Sequence, residues 1–320
     1  MKKTVVLLLA ATILTALLLC AGCGADTAVP RVITLKGPTG MGMAYLMKEQ
    51  AEDYTFALAA EPTEVQAALI AGQADIAALP LNLAAVLSNK GEDIRFAAIN
   101  TLGVLYLLEN GDSVTSLSDL RGKTIYATGK GSTPQYVLEY LLTKAGIDPA
   151  HDVTIEYLTE HAELATKLAA NDAAIGMLPE PNVTVALTTA AKGGNAALRV
   201  ALDLTEEWNR LGEGELAQGC IAVRGAFWDE HPEAVERFLR DYARSVERVN
   251  ASPAEAAELI ASFGIVPSAA LAEKAIPNCH IVCITGDDGA ALAEANLSVL
   301  FAANPKSIGG VMPKREFYGK

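Results

Sequence analysis

The sequence is poor in aromatic residues and histidines, and it lacks the short motifs that mark common catalytic sites. Aromatic side chains make up 6% of its 320 residues, and there are only four histidines. Neither Gly-x-Ser-x-Gly nor His-Glu-x-x-His occurs, which argues against an esterase nucleophile elbow and a helical zinc-protease site. His151, His161 and His231 lie in polar segments flanked by proline or acidic residues, so we expect them to be exposed. The sequence therefore predicts no catalytic residue and no cofactor.

Cysteine is also scarce. Only Cys220, Cys279 and Cys283 follow the N-terminal segment, and an odd number allows one disulfide bond and one free thiol in an oxidising compartment. The spacing of Cys279 and Cys283 is that of a possible metal-binding pair, but no second pair of cysteines or histidines lies nearby. We expect buried thiols or a structural disulfide bond, and no metal site.

Positive charge is in deficit. The chain has 25 basic residues against 38 acidic ones, which gives a net charge of −13. Such a balance disfavours nucleic acid and anionic membrane surfaces as partners. It does not exclude an anionic small molecule, because the local groups of a site decide what binds there.

Long apolar runs are absent beyond the N-terminus, where residues 5–20 form the one extended run. Lys2 and Lys3 precede it and small residues follow it, which is the layout of a secretory signal peptide. The run is shorter than the roughly 20 residues that a membrane-spanning helix needs. The sequence therefore predicts a signal peptide over residues 1–22 and an extracytoplasmic protein.

The end of this segment, Cys20-Ala-Gly-Cys23, resembles a bacterial lipobox, although that pattern usually has Leu where Cys20 stands. The resemblance implies cleavage before Cys23 and attachment of lipid to its thiol. We predict a tether over residues 23–30 that anchors the protein to the cell membrane through this lipid. A plain cleaved signal peptide is the alternative.

Two series of strand-like apolar runs alternate with segments of helical period, one from Arg31 to Asn100 and one from Thr124 to Leu204. This βαβ pattern predicts an α/β fold with largely parallel sheets and helices on both faces. From Ala226 onward the period is helical, and this part is expected to fold back on the first series. We predict a two-lobed fold with a ligand cleft between lobes: lobe I, 31–106 and 221–320; lobe II, 107–220.

Loops that follow strands are the places to look for a ligand, because ligands of open α/β sheets bind outside the carboxyl ends of the strands. Residues 36–43 place three glycines and a threonine between a strand and a helix. Glycines let backbone N–H groups approach a ligand closely, and a helix N-terminus favours negative charge. We predict ligand contacts in this loop, including Gly37. A tight turn with a helix cap would explain the same residues.

The second series has a similar loop at residues 129–135, with Lys130 as a candidate cation and Ser132 or Thr133 able to cap the next helix. A third candidate is Glu180, framed by two prolines where a strand ends. Glu180 either accepts hydrogen bonds from a ligand nitrogen or stabilises the N-terminus of the following helix.

Several short segments, in this order and spacing, give the chain a resemblance to the substrate-binding proteins of ABC importers. The resemblance is to the branch that includes sulfonate, nitrate and thiamine-precursor binders. The segments carrying it are 37–42 (GPTGMG), 74–78 (ADIAA), 117–123 (LSDLRGK), 131–134 (GSTP), 178–181 (LPEP) and 226–238 with its His-Pro-Glu.

The resemblance implies a periplasmic-binding-protein fold of the second type, with two crossings between lobes and a ligand held by hinge closure. It implies a small-molecule ligand, anionic or heterocyclic, and ABC permease and ATPase subunits as partners. Few Tyr or Trp residues lie near the loops, unlike the aromatic-lined sites of thiamine-precursor binders. The ligand-binding residues that the resemblance implies are Thr39, Gly40, Met41, Asn82, Thr101, Ser132, Thr133 and Glu180.

Two other functions share this architecture. One is an enzyme of the thiamine-pyrimidine or menaquinone-pathway type, which the predicted export of this chain disfavours because such enzymes act in the cytoplasm. The other is a sensor that presents its bound ligand to a membrane receptor, and the sequence does not distinguish it from an importer component.

Overall fold

The computed structural model describes residues 28–319. The predicted signal peptide, Cys23 and the first part of the tether lie outside these residues. Within the described part of the chain, no helix combines the length and the apolar character needed to cross a membrane.

Eleven strands lie between residues 28 and 319, and they fall into two sheets. Their bounds are β1 Arg31–Leu35, β2 Thr55–Ala59, β3 Ile76–Pro80, β4 Ile94–Leu102, β5 Leu105–Asn110, β6 Thr124–Ala127, β7 Thr154–Tyr157, β8 Ile175–Pro179, β9 Leu198–Asp203, β10 Ala217–Arg224 and β11 Ile281–Thr285.

The α-helices of the described residues cover the faces of these sheets. Their bounds are α1 Pro38–Met41, α2 Ala44–Glu49, α3 Pro62–Ile70, α4 Leu81–Asn89, α5 Thr133–Lys144, α6 His161–Ala169, α7 Asn182–Lys192, α8 Leu204–Arg210, α9 Gly225–Glu230, α10 Pro232–Ala251, α11 Pro253–Ser262, α12 Ala269–Ala275 and α13 Gly286–Ala303. Short 3₁₀ helices lie at Leu117–Leu120, Ile276–Asn278, Pro305–Ile308 and Arg315–Tyr318.

The first sheet has the strand order β11-β4-β10-β3-β1-β2, and the second has the order β7-β6-β8-β5-β9. The chain passes from the first sheet to the second between Leu102 and Leu105, and it returns between Arg210 and Ala217. This arrangement is the two-lobed α/β fold of the second periplasmic-binding-protein type, with two crossings.

The prediction of largely parallel sheets is only partly correct. Strands β1, β2 and β3 pair in parallel, as do β6, β7 and β8. The crossing strands β5 and β10 pair antiparallel with their neighbours, and so does β11 with β4. Strands β5 and β10 enter a sheet from the other lobe and run opposite to the parallel strands of that sheet. Both sheets therefore contain parallel and antiparallel pairs.

Alternation along the strands divides the core of the first lobe into two layers. Val32 and Ile76 pack on one face, together with Phe238 and Tyr242 of α10. The next residue of β1, Ile33, belongs to the layer on the opposite face. Successive side chains of a strand point to opposite faces, so each strand contributes to both layers.

Two helical stretches are interrupted. Residues 38–49 form two helices, α1 and α2, which are separated by residues 42 and 43, and residues 225–251 form α9 and α10, which are separated at His231, before Pro232. Proline lacks an N–H group and is tolerated in the first turn of a helix, so Pro232 begins a new helix. Asp287 and Asp288 lie in the first turn of α13, where negative charge is favourable.

Candidate functional site

A cavity lies between the two lobes, at the carboxyl ends of the parallel strands of both sheets. Its volume is about 130 Å³, enough for several water molecules or a small organic molecule. The loops after β1, β2 and β3 line it from the first lobe, and those after β6, β7 and β8 line it from the second. The described residues therefore place a small-molecule site where open α/β sheets bind ligands.

Five of the residues predicted to bind ligand line this cavity: Gly37, Thr39, Thr101, Ser132 and Glu180. They come from four different loops or strand ends, and only the tertiary structure brings them together.

The remaining five predicted residues lie elsewhere. Lys130 lines an adjoining hollow of about 360 Å³, where its ammonium lies 5.8 Å from the ring centre of Tyr157. Met41 is fully buried, and its sulfur lies 3.9 Å from that of Cys279. Gly40 packs against Leu35 and Ile265 beneath the first loop. Asn82 and Thr133 are buried and hydrogen-bond to each other between the lobes.

Glu180 is almost fully buried and fixed in place. Its two carboxylate oxygens accept hydrogen bonds from the Thr184 backbone N–H, at 3.1 Å, and from the Thr184 hydroxyl, at 3.0 Å. Burial raises the pKa of Glu180, and the hydrogen bonds from Thr184 oppose part of this rise. The Asn278 side chain also donates a hydrogen bond to this carboxylate, which leaves one of its four lone-pair positions for a partner in the cavity.

His161 also lines the cavity, although it was expected to be exposed. Its Nδ1 lies 2.6 Å from the hydroxyl oxygen of Thr128, which is completely buried. Burial lowers the pKa of His161 to about 4, so its imidazole is neutral at pH 7. The expectation was wrong because polar neighbours in the sequence do not show which distant parts of the chain cover a residue in the folded protein.

The hydroxyl groups of Thr39 and Ser132 are already engaged within their own loops. Thr39 donates to the carbonyl oxygen of Leu35 at 3.0 Å, and Ser132 donates to that of Gly129 at 2.7 Å. Each hydroxyl has a single proton. Both can therefore act only as acceptors toward the cavity while these bonds persist.

Gln218 lines the cavity and was not predicted from the sequence as a site residue. It is 7% exposed and lies at the beginning of β10, next to Gly219. A single polar residue in the apolar run 216–223 was the signal that could have identified it. For His161, the signal was its position just after the strand β7, which is the same position that drew attention to the other loops.

A larger hollow of about 580 Å³ lies between α5 and α13, lined by Tyr140 and Glu213 among others. It lies away from the carboxyl ends of the strands, and Tyr140 already donates a hydrogen bond to Glu213 there. We therefore take the smaller cavity between the lobes as the candidate site.

Cys220, Cys279 and Cys283 are all free thiols, so none of them forms a disulfide bond. Within residues 28–319, no group of three His, Cys, Asp or Glu side chains is arranged to hold a metal ion.

Comparison with known proteins gives a family match and a common fold. Residues 40–275 match the family model described as the periplasmic substrate-binding protein of a phosphonate ABC transporter. No curated protein sequence is similar to this chain.

Solved structures extend the likeness over nearly the whole chain. An ABC transporter structure from Parabacteroides distasonis is 25% identical, covers 92% of this chain and 99% of its own, and has a TM-score of 0.76. The aliphatic sulphonate-binding protein SsuA from Escherichia coli is 17% identical, with coverage of 91% and 94% and a TM-score of 0.71. The nitrate-binding protein NrtA from Synechocystis PCC 6803 is 10% identical, with coverage of 88% and 84% and a TM-score of 0.62.

Proposed function

This chain belongs to the family of periplasmic substrate-binding proteins of phosphonate ABC transporters, and we propose that it captures a small molecule between its lobes for delivery to an ABC importer. The observation that carries the proposal is the cavity between the lobes, which both sheets line with the carboxyl ends of their parallel strands. Its partners are the permease and the ATPase subunits of the importer. The protein acts as a receptor, without catalysis.

In this proposal, the lobe built on the first sheet and the lobe built on the second move against each other about the two crossings, at residues 102–105 and 210–217. Ligand contacts made by both lobes shift the equilibrium toward a closed form, which the permease recognises. Ser132 is on the second lobe and Thr39 on the first, and both line the cavity. A ligand that touches both residues therefore has more contacts in the closed form than in the open one.

The ten predicted residues divide into four roles. Gly37, Thr39, Thr101, Ser132 and Glu180 contact the ligand, and Lys130 acts at the adjoining hollow. Asn82 and Thr133 hold the lobes together. Gly40 and Met41 support the first loop from beneath.

The experiment that tests capture is a thermal-shift screen of the folded, ligand-free protein against small anions, amines, amino acids and heterocycles. A compound present at 100 times its Kd should add about 2.7 kcal/mol to the free energy of unfolding. Ser132→Trp should fill the cavity and remove the response, whereas Ser118→Trp, on an exposed 3₁₀ helix, should leave it unchanged. No response to any compound would refute the proposal.

We also propose that the mature chain begins at Cys23, carries lipid on that thiol, and resides outside the cytoplasm on the cell membrane. Mass spectrometry of the mature protein should find a diacylated N-terminal Cys23. Cys23→Ser should release the protein from the membrane fraction. An unmodified N-terminus at another residue would contradict the lipid anchor and leave the binding function unaffected.

A further inference from the structure

Two buried polar side chains at the floor of the cavity each have a polar atom without a hydrogen-bond partner. Thr101 is 3% exposed and Gln218 is 7% exposed, and both line the cavity. The Thr101 hydroxyl and the Gln218 amide nitrogen are each without a partner. A buried polar group left unpaired is costly, so groups of this kind in a cavity indicate that a bound molecule completes them.

The backbone next to Thr101 and Gln218 leaves space for polar side chains at the floor of the cavity. Gly219 pairs with Pro80 on one side and with Thr101 on the other. A Cβ atom on Gly219 would lie 2.5 Å from the side-chain oxygen of Asn100 and 3.4 Å from the hydroxyl of Thr101. The bare glycine therefore gives room to the polar side chains of β4.

The wall that faces this floor supplies acceptors. Glu180 keeps one lone-pair position of its carboxylate beyond the hydrogen bonds from Thr184 and Asn278, and the hydroxyls of Thr39 and Ser132 already donate hydrogen bonds to backbone carbonyls. A ligand needs N–H or O–H donors to pair with these groups.

The charges of the cavity favour the same kind of ligand. Its lining contains the carboxylates of Glu61 and Glu180 and the ammonium of Lys36, which is exposed to solvent. A dianion placed beside buried Glu180 would be repelled at short range in a region of low dielectric constant. Burial and the nearby carboxylates of Glu160 and Glu64 raise the pKa of Glu61 as well.

Prolines at the helix starts reduce the donors available to an anion. Pro38 and Pro62 are the first residues of α1 and α3, and Pro134 is the second residue of α5. All three line the cavity, and none has an N–H group. The helix starts therefore offer an anion fewer hydrogen bonds than helices of the same length without proline.

We propose that the ligand presents an N–H-bearing nitrogen to Glu180 and an oxygen acceptor to Gln218 and Thr101, and that a fully ionised phosphonate binds weakly. This inference rests on the proposed function, since it assumes that the cavity is a capture site. The ligand class is a small amine or N–H heterocycle with a carbonyl group.

Isothermal titration calorimetry should be carried out with glycinamide and cytosine, which combine N–H donors with a carbonyl oxygen, and with methylphosphonate and ethanesulfonate. We expect at least one of the first two to bind at least tenfold more tightly than both anions. If an anion binds as tightly as the better of the two nitrogen compounds, the ligand class is wrong and capture stands. If none of the four binds, and the wider screen is also negative, both proposals fail.

Three variants then test the contacts, with the best of these four compounds as the probe. Glu180→Gln should weaken its binding at least tenfold, whereas Glu163→Gln, which removes an exposed carboxylate of α6, should not. Thr101→Val should weaken binding about tenfold while the Tm of the ligand-free protein stays the same or rises, because the change removes an unpaired buried hydroxyl. Unchanged affinity in both Glu180→Gln and Thr101→Val would overturn the proposal.

Discussion

The hydroxyl of Thr133 donates a hydrogen bond to the side-chain oxygen of Asn82 over 3.1 Å, and this bond joins the second lobe to the first. The same Asn82 amide donates to the carbonyl oxygen of Gly131, at 3.2 Å, and to that of Ser307, at 2.9 Å. Asn82 is completely buried, and its bonds to Thr133 and Ser307 are shielded from water. One side chain thus ties α4 both to the opposite lobe and to the C-terminal segment of its own lobe.

Asn82→Ala should destabilise the closed arrangement of the lobes. It leaves the Thr133 hydroxyl and two carbonyl oxygens unpaired, at a cost of about 1 to 3 kcal/mol. Small-angle X-ray scattering should show a larger radius of gyration than in the wild type. The control is Asn89→Ala, which removes hydrogen bonds from α4 to Ile308 and Val311 without touching the second lobe. Equal radii of gyration in the two variants would show that the hydrogen bond between Asn82 and Thr133 does not hold the lobes together.

Gly103→Ala should destabilise the protein at the first crossing between lobes. A Cβ atom on Gly103 would lie 2.1 Å from the hydroxyl oxygen and 2.6 Å from the methyl carbon of Thr205. Overpacking at such a site costs about 1 to 3 kcal/mol of the free energy of unfolding, measurable by urea denaturation. Gly193→Ala is the matched control, because the nearest atom to its Cβ would be 3.4 Å away. If Gly103→Ala is as stable as this control, the Thr205 side chain can move to accommodate the added methyl group.

The neutral state of His161 predicts a loss of stability in acid. Its pKa falls from 6.5 in the unfolded chain to about 4 in the folded protein, because burial disfavours the charged ring. Between these two values the unfolded chain binds a proton that the folded protein does not, so stability falls as the pH falls from about 6.5 to 4. The full difference corresponds to about 3 kcal/mol.

This acid sensitivity can be measured by thermal or urea unfolding of the ligand-free protein at pH 7 and at pH 4. His161→Gln has no group that titrates in this range, so it should lose less stability than the wild type over the same interval. Parallel stability curves for the two proteins would show that another group causes the acid sensitivity.

Asp75→Ala should weaken the start of β3. Asp75 is 4% exposed, and it accepts hydrogen bonds from Arg31 through the backbone N–H at 3.0 Å and the guanidinium at 2.8 and 2.5 Å. Burial alone would raise the pKa of Asp75, but the bonds from Arg31 together hold this pKa below its usual value. We expect a loss of about 1 to 3 kcal/mol, because Arg31 is half exposed and regains water.

The control for Asp75→Ala is Glu49→Ala, which breaks an ion pair with Arg248 between two half-exposed side chains. Exposed ion pairs contribute little to stability, so this variant should unfold close to the wild type. If both variants unfold at the same urea concentration, burial does not strengthen the Arg31–Asp75 pair.

Much of the fold follows from local patterns. Alternating strand and helix segments predict two βα series, which the two sheets confirm. The antiparallel direction of β5 and β10 could not be predicted in this way. It depends on which lobe the chain comes from when it enters a sheet, and short apolar runs carry no information about direction.

The candidate site was predictable only in part. Glycine, proline and hydroxyl residues after strands mark the edge of a sheet, which is how Thr39, Ser132 and Glu180 were found. The same marks do not show which way a side chain points. The sequence alone therefore could not distinguish Asn82 and Thr133 from the residues that line the cavity.

By itself, the sequence determined the α/β class, the two-lobed organisation and the sheet edges at which a ligand can bind, because periodicity and turn chemistry are local properties. Only the tertiary structure decided that Gln218 and His161 reach the cavity, that Met41 lies beneath it, and that Asn82 joins the lobes. The physical reason is that burial and hydrogen-bond pairing depend on atoms far apart in the chain. A hydroxyl or an amide becomes a binding group only when the folded protein leaves it without another partner.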